Sequence, residues 1–246
     1  MYVGDYCEVE DGVVTAVYPR KNEMIRPYVA NIDALLIVVS NAPQPDWICV
    51  EKLILNAHHQ NITPAIVVNK IDRSTQEEIE EFLSPYRGEF ATFAVSAETG
   101  EGLDELRDYI KGKLVCFAGQ SAVGKSSLIN ALGGKSLEVG ELSKKIQRGK
   151  NTTRHVEIYD LADGRAVDTC GFSVMDSVDI KYDELVYYYD EFLAFQSKCK
   201  YTNCTHTREP FCAVKQAVKE GNINERRYQR YVKLYEALKD SWQKKY

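Results

Sequence analysis

Apolar and polar positions divide the chain into three stretches. Residues 1–28 carry short β-like runs, "YCEVE" and "VVTAVYP", with Asp11-Gly12 between them. An Asp-Gly pair flanked by β-rich runs predicts a hairpin. From Asn31 to about Asp179 strand and helix patterns alternate. "ALLIVVS" reads as a buried strand, "DWICVEKLILNAHHQ" as a helix, "PAIVVNK" as a strand and "STQEEIEEFLSPY" as a helix capped by Ser74 or Thr75. "ATFAVSA" (strand), "GLDELRDYIKG" (helix) and "LVCFAG" (strand leading into another helix) continue the series. Such alternation predicts an α/β fold, a mostly parallel sheet covered on both faces. "HVEIYDL" and "RAVDTC", joined through Asp163-Gly164, read instead as an antiparallel pair. Beyond Tyr182 the pattern is helical and is interrupted by cysteines. "AVKQAVKEG" ends at Gly221, and Asn224 can cap a longer helix. On that helix Tyr228, Val232, Tyr235, Leu238 and Trp242 recur at spacings of three to four, a stripe expected to pack on the α/β domain in preference to RNA. The expected units are a β segment over 1–28, an α/β domain over 29–182 and a helical module over 183–246.

The strand ends carry the chemistry. Gly119-Gln120-Ser121-Ala122-Val123-Gly124-Lys125-Ser126 fits the phosphate-loop pattern and lies between a strand and a helix, with Ser127 next on that helix. Its backbone N–H groups would wrap phosphates, Lys125 would reach the β- and γ-phosphates, and Ser126 would ligate Mg²⁺. Asn69-Lys70-Ile71-Asp72 ends an earlier strand. A carboxylate there can accept from both N1–H and N2–H of guanine, a donor pair that adenine lacks. Asn69 would brace the loop, and the Lys70 stem would lie on the base. Ser96-Ala97 ends the next strand, where the Ala97 N–H can donate to O6. Asp168-Thr-Cys-Gly171 offers an Asp to Mg²⁺ through water and a Gly171 N–H to the γ-phosphate. Thr153, in preference to Thr152, can close on Mg²⁺ from the loop between. Together these motifs imply a GTPase that uses Mg²⁺ with GTP and GDP.

Their order is unusual. The base-reading motifs (69–72, 96–97) precede the phosphate loop (119–126), Thr153 and Asp168–Gly171, whereas GTPases ordinarily begin with the phosphate loop. Cyclic order is kept and only the cut point has moved. That is a circular permutation, tolerated by an open sheet whose old termini lie close together. Cys199-x4-Cys204-x-His206-x5-Cys212 gathers three sulfurs and an imidazole within fourteen residues, the donor set of a closed structural Zn²⁺ site.

Bulk properties narrow the partners. The 246 residues carry a net charge of −5, which argues against a non-specific nucleic-acid coat. Between Glu225 and Tyr246, seven Lys/Arg against three Asp/Glu read equally as an RNA-facing patch or a solvated helix face. Ala34–Val39, the longest purely apolar run, is too short to span a bilayer, and the N-terminus lacks a secretory pattern, so a cytoplasmic monomer is expected. Seven cysteines in such a chain imply metal or free thiols in preference to disulfides.

The permuted order, with "GQSAVGKSSLIN", "RGKNTTRHVE", "DTCGF" and the following Cys/His cluster, resembles the RsgA (YjeQ) family of bacterial GTPases that depend on the small ribosomal subunit. The resemblance covers nearly the whole chain. It implies an N-terminal OB-fold barrel, of which residues 1–28 look like the last strands, then the permuted GTPase domain and a C-terminal zinc domain. It also implies the small ribosomal subunit and its rRNA as partners, and a late checkpoint role in subunit assembly. Three positions bear on catalysis. Cys170 stands where the family usually has Pro. Asn151 replaces a His thought to help the attacking water, which leaves His155 as an alternative. Phe172 follows Gly171 where many signalling GTPases place a water-orienting Gln, and the family shares that change. Slow intrinsic hydrolysis follows, with a partner needed to order the site. Two other classes compete. A nucleotide-gated binding protein with negligible turnover would bind GTP without releasing phosphate, and an ATP-dependent kinase would leave Asp72 without a role.

Overall fold

The protein's structure, a computed structural model, describes residues 1–25, 28–133, 156–169 and 180–245. Strands β1 (Cys7–Glu10) and β2 (Val13–Val17) form an antiparallel ribbon around Asp11 and Gly12, both with positive φ (51° and 79°), as the sequence predicts. Asp5 fastens its base. The Asp5 carboxylate accepts from the Tyr2 N–H at 2.6 Å and from Arg20 Nε at 2.7 Å, while the Arg20 guanidinium lies 3.8 Å from the centre of the Tyr2 ring. A second small pair, β3 (Glu23–Ile25) and β4 (Tyr28–Ala30), leads into the main domain. There Asn22 bonds both the N–H and the carbonyl of Ile32.

The main sheet has the order β7-β6-β5-β8-β10-β9. Strands β5 (Ala34–Val39), β6 (Thr63–Val68), β7 (Ala91–Ala94), β8 (Leu114–Ala118) and β10 (Arg165–Thr169) run parallel, and β9 (Val156–Asp160) pairs antiparallel with β10 at the edge. Strand β5 shows why the runs are continuously apolar. Leu35, Ile37 and Val39 face helices α1 (Trp47–His59) and α2 (Gln76–Leu83), while Ala34, Leu36 and Val38 face α3 (Leu103–Ile110) and α4 (Lys125–Leu132). Both faces are buried, so no polar position survives along the strand. Thr75 caps α2 in a capping box with Glu78, one of the two caps expected.

The C-terminal residues build a third core from α5 (Asp190–Gln196), α6 (Ala213–Lys219) and α7 (Glu225–Lys245), with Leu55 of α1 inserted into it. The Asn224 side chain accepts from the Arg226 and Arg227 N–H groups, which confirms it as the cap of α7. The aromatic stripe of α7 is spent on packing. Tyr231 and Tyr235 are buried, and the Tyr228 and Tyr231 hydroxyls donate to the carbonyls of His206 and Thr205.

Candidate nucleotide and metal sites

Strands β6, β7 and β8 end on the same edge of the sheet, and their loops meet there. The turn after β8 requires glycine twice. Gly119 (φ +135°) passes so close to β5 that an added Cβ would collide with the Val38 carbonyl. At Gly124 (φ +97°) a Cβ would collide with the Asn69 side-chain amide. The second approach joins the two halves of the site. Asn69, 1% exposed, donates from Nδ2 to the Val123 carbonyl at 2.9 Å and accepts the Ala97 N–H on Oδ1 at 3.1 Å. It braces three loops, including the Ala97 amide that the sequence reading assigned to O6.

Lys70, left-handed at φ 65°, reaches across the mouth of the site and donates from Nζ to the carbonyls of Ala122 and Ala42, each at 2.7 Å. Ser96 Oγ donates to Asp72 Oδ1 at 2.5 Å and accepts the Thr99 N–H at 3.1 Å, so the Asp72 carboxylate is aimed by the loop after β7. That hydrogen bond, aided by Arg73, holds the Asp72 carboxyl below its ordinary value. Asp72 keeps one oxygen toward Ser96, and its other lies 3.3 Å from Arg73 Nε at the partly exposed end of the loop.

On the phosphate side, Lys125 Nζ donates to the carbonyls of Gly119 (2.8 Å) and Gln120 (2.7 Å), which places its ammonium over the loop. Ser126 and Ser127 follow on the first turn of α4, Ser126 half-buried and Ser127 exposed, beyond Ser121 and Ala122 on the exposed arc. Asp168 lies near the end of β10, which pairs with β8 through Val167 and Cys116, so its backbone stands one strand from the phosphate loop. Asn151, Thr152, Thr153, His155, Cys170, Gly171 and Phe172 lie outside the described residues.

One more loop contributes to the site. Residues 41–46, between β5 and α1, wall one side of the site: Ala42 accepts from Lys70, and the Asp46 N–H donates to Gln120 Oε1 at 2.8 Å. No motif marks this loop, because its contacts use backbone atoms that any sequence supplies.

Among the described residues, Cys199, Cys204, His206 and Cys212 form one cluster that can hold a metal ion, their ligand atoms all within 4.8 Å of one another. His206 Nδ1 lies 3.6 Å from Cys199 Sγ and 3.4 Å from Cys212 Sγ, and the two sulfurs are 4.0 Å apart. A tetrahedral ion about 2.0–2.3 Å from each donor sets its ligands roughly 3.5–3.8 Å apart, so the set fits. Cys199 Sγ also accepts the Ala213 N–H at 3.3 Å, an outer contact suited to a thiolate. Burial pushes the Cys204 thiol up to about 12 and keeps His206 neutral. A bound cation reverses the first effect and benefits from the second.

A family model described as RsgA GTPase matches residues 17–178. The chain belongs to the RsgA GTPase family. A small ribosomal subunit biogenesis GTPase RsgA of Caldanaerobacter subterraneus subsp. tengcongensis is 40% identical over 253 residues, an alignment spanning 99% of this chain and 85% of the relative. The RsgA of Thermotoga neapolitana is 38% identical, over 97% and 84% of the two chains. Among solved structures, YjeQ from Thermotoga maritima superposes with a TM-score of 0.81 at 35% identity, covering 97% of this chain and 84% of that one. YloQ, described as a circularly permuted GTPase, superposes with a TM-score of 0.77 at 30% identity, over 98% and 82%. The permuted order read from the sequence is thus the order of the RsgA fold.

Proposed function

We propose that the chain hydrolyses GTP as a biogenesis factor of the small ribosomal subunit. The observation that supports this reading is the Asn69 bridge, which ties the strand-end loop that carries Asp72 to the loop from Gly119 to Ser126. Lys125 and the backbone amides of 119–124 would hold the phosphates, and Ser126 with Thr153 would ligate Mg²⁺. Mg²⁺ would supply charge neutralisation between the β- and γ-phosphates. Asp168 would hold that ion through water, and Gly171 would sense the γ-phosphate. Asn151 is a neutral residue that can orient the attacking water but cannot take its proton, so intrinsic turnover would be slow.

The metal of the C-terminal cluster is proposed to be one structural Zn²⁺, because three sulfurs and an imidazole occupy all four tetrahedral positions. The chain divides functionally at 1–28, 29–182 and 183–246. Residues 180–238 supply all but Leu55 of the buried residues in a third core, which supports the last division. Subunit rRNA is the proposed macromolecular partner and the cytoplasm the proposed location. Among the described residues, no helix is long and apolar enough to cross a membrane. Phosphate release from GTP, measured with and without purified small subunits, tests the proposal. Stimulation by subunits is expected. Tight GTP binding with no phosphate release in either condition would replace it with a nucleotide-gated binder.

A further inference from the structure

Glu51 lies in the middle of α1 and is 1% exposed. An unpartnered carboxylate at such a position would be strongly destabilising. Here both carboxylate oxygens are partnered. Oε1 accepts the Tyr86 hydroxyl at 3.0 Å, and Oε2 accepts the Tyr189 hydroxyl at 3.0 Å together with the Arg227 guanidinium. Arg227, also 1% exposed, turns its Nε to Glu191 at 3.0 Å. Arg230 donates to the Tyr86 hydroxyl at 2.7 Å and lies 3.7 Å from the centre of the Trp47 ring. Trp47, Glu51 and Tyr86 belong to the nucleotide domain. Tyr189, Glu191, Arg227 and Arg230 belong to the C-terminal module. The seam between the two is therefore a dehydrated ionic joint, which tolerates sliding far less than an apolar one because any displacement strands a buried charge.

The joint sits close to the nucleotide. Asp46, the cap of α1, precedes Glu51 by five residues, about 7.5 Å of helix axis. The loop ending at Asp46 touches the phosphate loop through Gln120 and the base-reading loop through Lys70. A helix is stiff over that length, so the seat of α1 on the C-terminal module fixes how the 41–46 loop meets both.

We propose that Glu51 is a positioning residue for guanine-nucleotide binding, clamping α1 to the C-terminal module so that the 41–46 loop is held against Gln120 and Lys70. The inference rests on reading this pocket as a guanine-nucleotide site. Linkage is reciprocal, so nucleotide must in turn tighten the module.

The test uses the full chain with its metal, GDP as probe, and two variants. Glu51→Gln keeps the shape and removes the charge. Tyr189→Phe removes one hydrogen bond and keeps the charge pair, so it carries the test if Glu51→Gln does not fold. GDP affinity is expected to fall about five-fold or more in Glu51→Gln and by a smaller factor in Tyr189→Phe. In the wild type, GDP should slow amide exchange along α7, a response that a merely structural contact would not produce and that Glu51→Gln should abolish. Folded, metal-replete variants that bind GDP as the wild type does would overturn the proposal, as would wild-type α7 exchange indifferent to GDP. A wild type unable to bind GDP would defeat the functional reading, and this inference with it.

Discussion

The Asn69 side-chain amide donates to the Val123 carbonyl at 2.9 Å, so the loop after β6, proposed to read the base, is fastened directly to the loop after β8, proposed to wrap the phosphates. Replacing Asn69 by Ala strands a buried carbonyl and a backbone N–H. We expect a loss of about 1–3 kcal/mol in urea unfolding. Because both loops lose their tie, GDP affinity should fall by roughly ten-fold or more in a fluorescence titration.

Gly124→Ala attacks the same contact from the other side. The new Cβ would meet the Asn69 amide at a backbone angle that L-residues avoid, a strain of about 1–3 kcal/mol. Nucleotide binding should be lost while zinc content is unchanged, because the metal module lies elsewhere. Retained GTP binding would contradict the described loop geometry.

Base selectivity should depend on Asp72. In Asp72→Asn the acceptor for N1–H and N2–H is weakened, and the preference for GTP over ATP in competition binding should fall by about ten-fold or more. The Ser96 hydrogen bond lowers the Asp72 pKa in the folded state. A lowered acid pKa means that the ionised form is favoured, with its contribution present above the unfolded value and lost as pH falls through the folded one. Guanine preference should accordingly stay flat from pH 8 to pH 5. An Asp72-dependent transition within that window would show the carboxylate to be differently placed.

Removing the metal should unfold the C-terminal module. Chelation, or Cys212→Ser, leaves buried thiols and a buried imidazole without the ion that unites them. One equivalent of zinc by elemental analysis, together with loss of tyrosine near-UV dichroism on chelation, is the expected result. A chelated protein with an unchanged spectrum would show the cluster to be structurally dispensable.

The parts legible in the sequence are those with local signatures. The two-faced apolar run of β5, the Asp-Gly turn, the Thr75 cap and the phosphate-loop glycines each announce themselves within a few residues. The four metal-binding donors fall within fourteen. Glu51 and Arg227 do not, because their meaning lies in each other, 176 residues apart. Read alone, Glu51 is a polar position on an amphipathic helix. Arg227 and Arg230 swell a basic count that suggests a charged outer face, yet they are 1% and 7% exposed. Two of those seven cations point inward.

Cutting the ring of motifs at a new place changes the timetable of assembly on an emerging chain. Asn69 leaves the exit tunnel early and waits 54 residues for Val123, so these two loops can be fastened midway through synthesis. Glu51 is made earlier still but lacks its ionic partner until Arg227 appears, and loops of that span close late. A growing polypeptide can therefore tie the Asn69 loop to the Val123 loop well before it can form the joint that seats its C-terminal module. The ion pair between Glu51 and Arg227 is among the last contacts that synthesis of the chain allows.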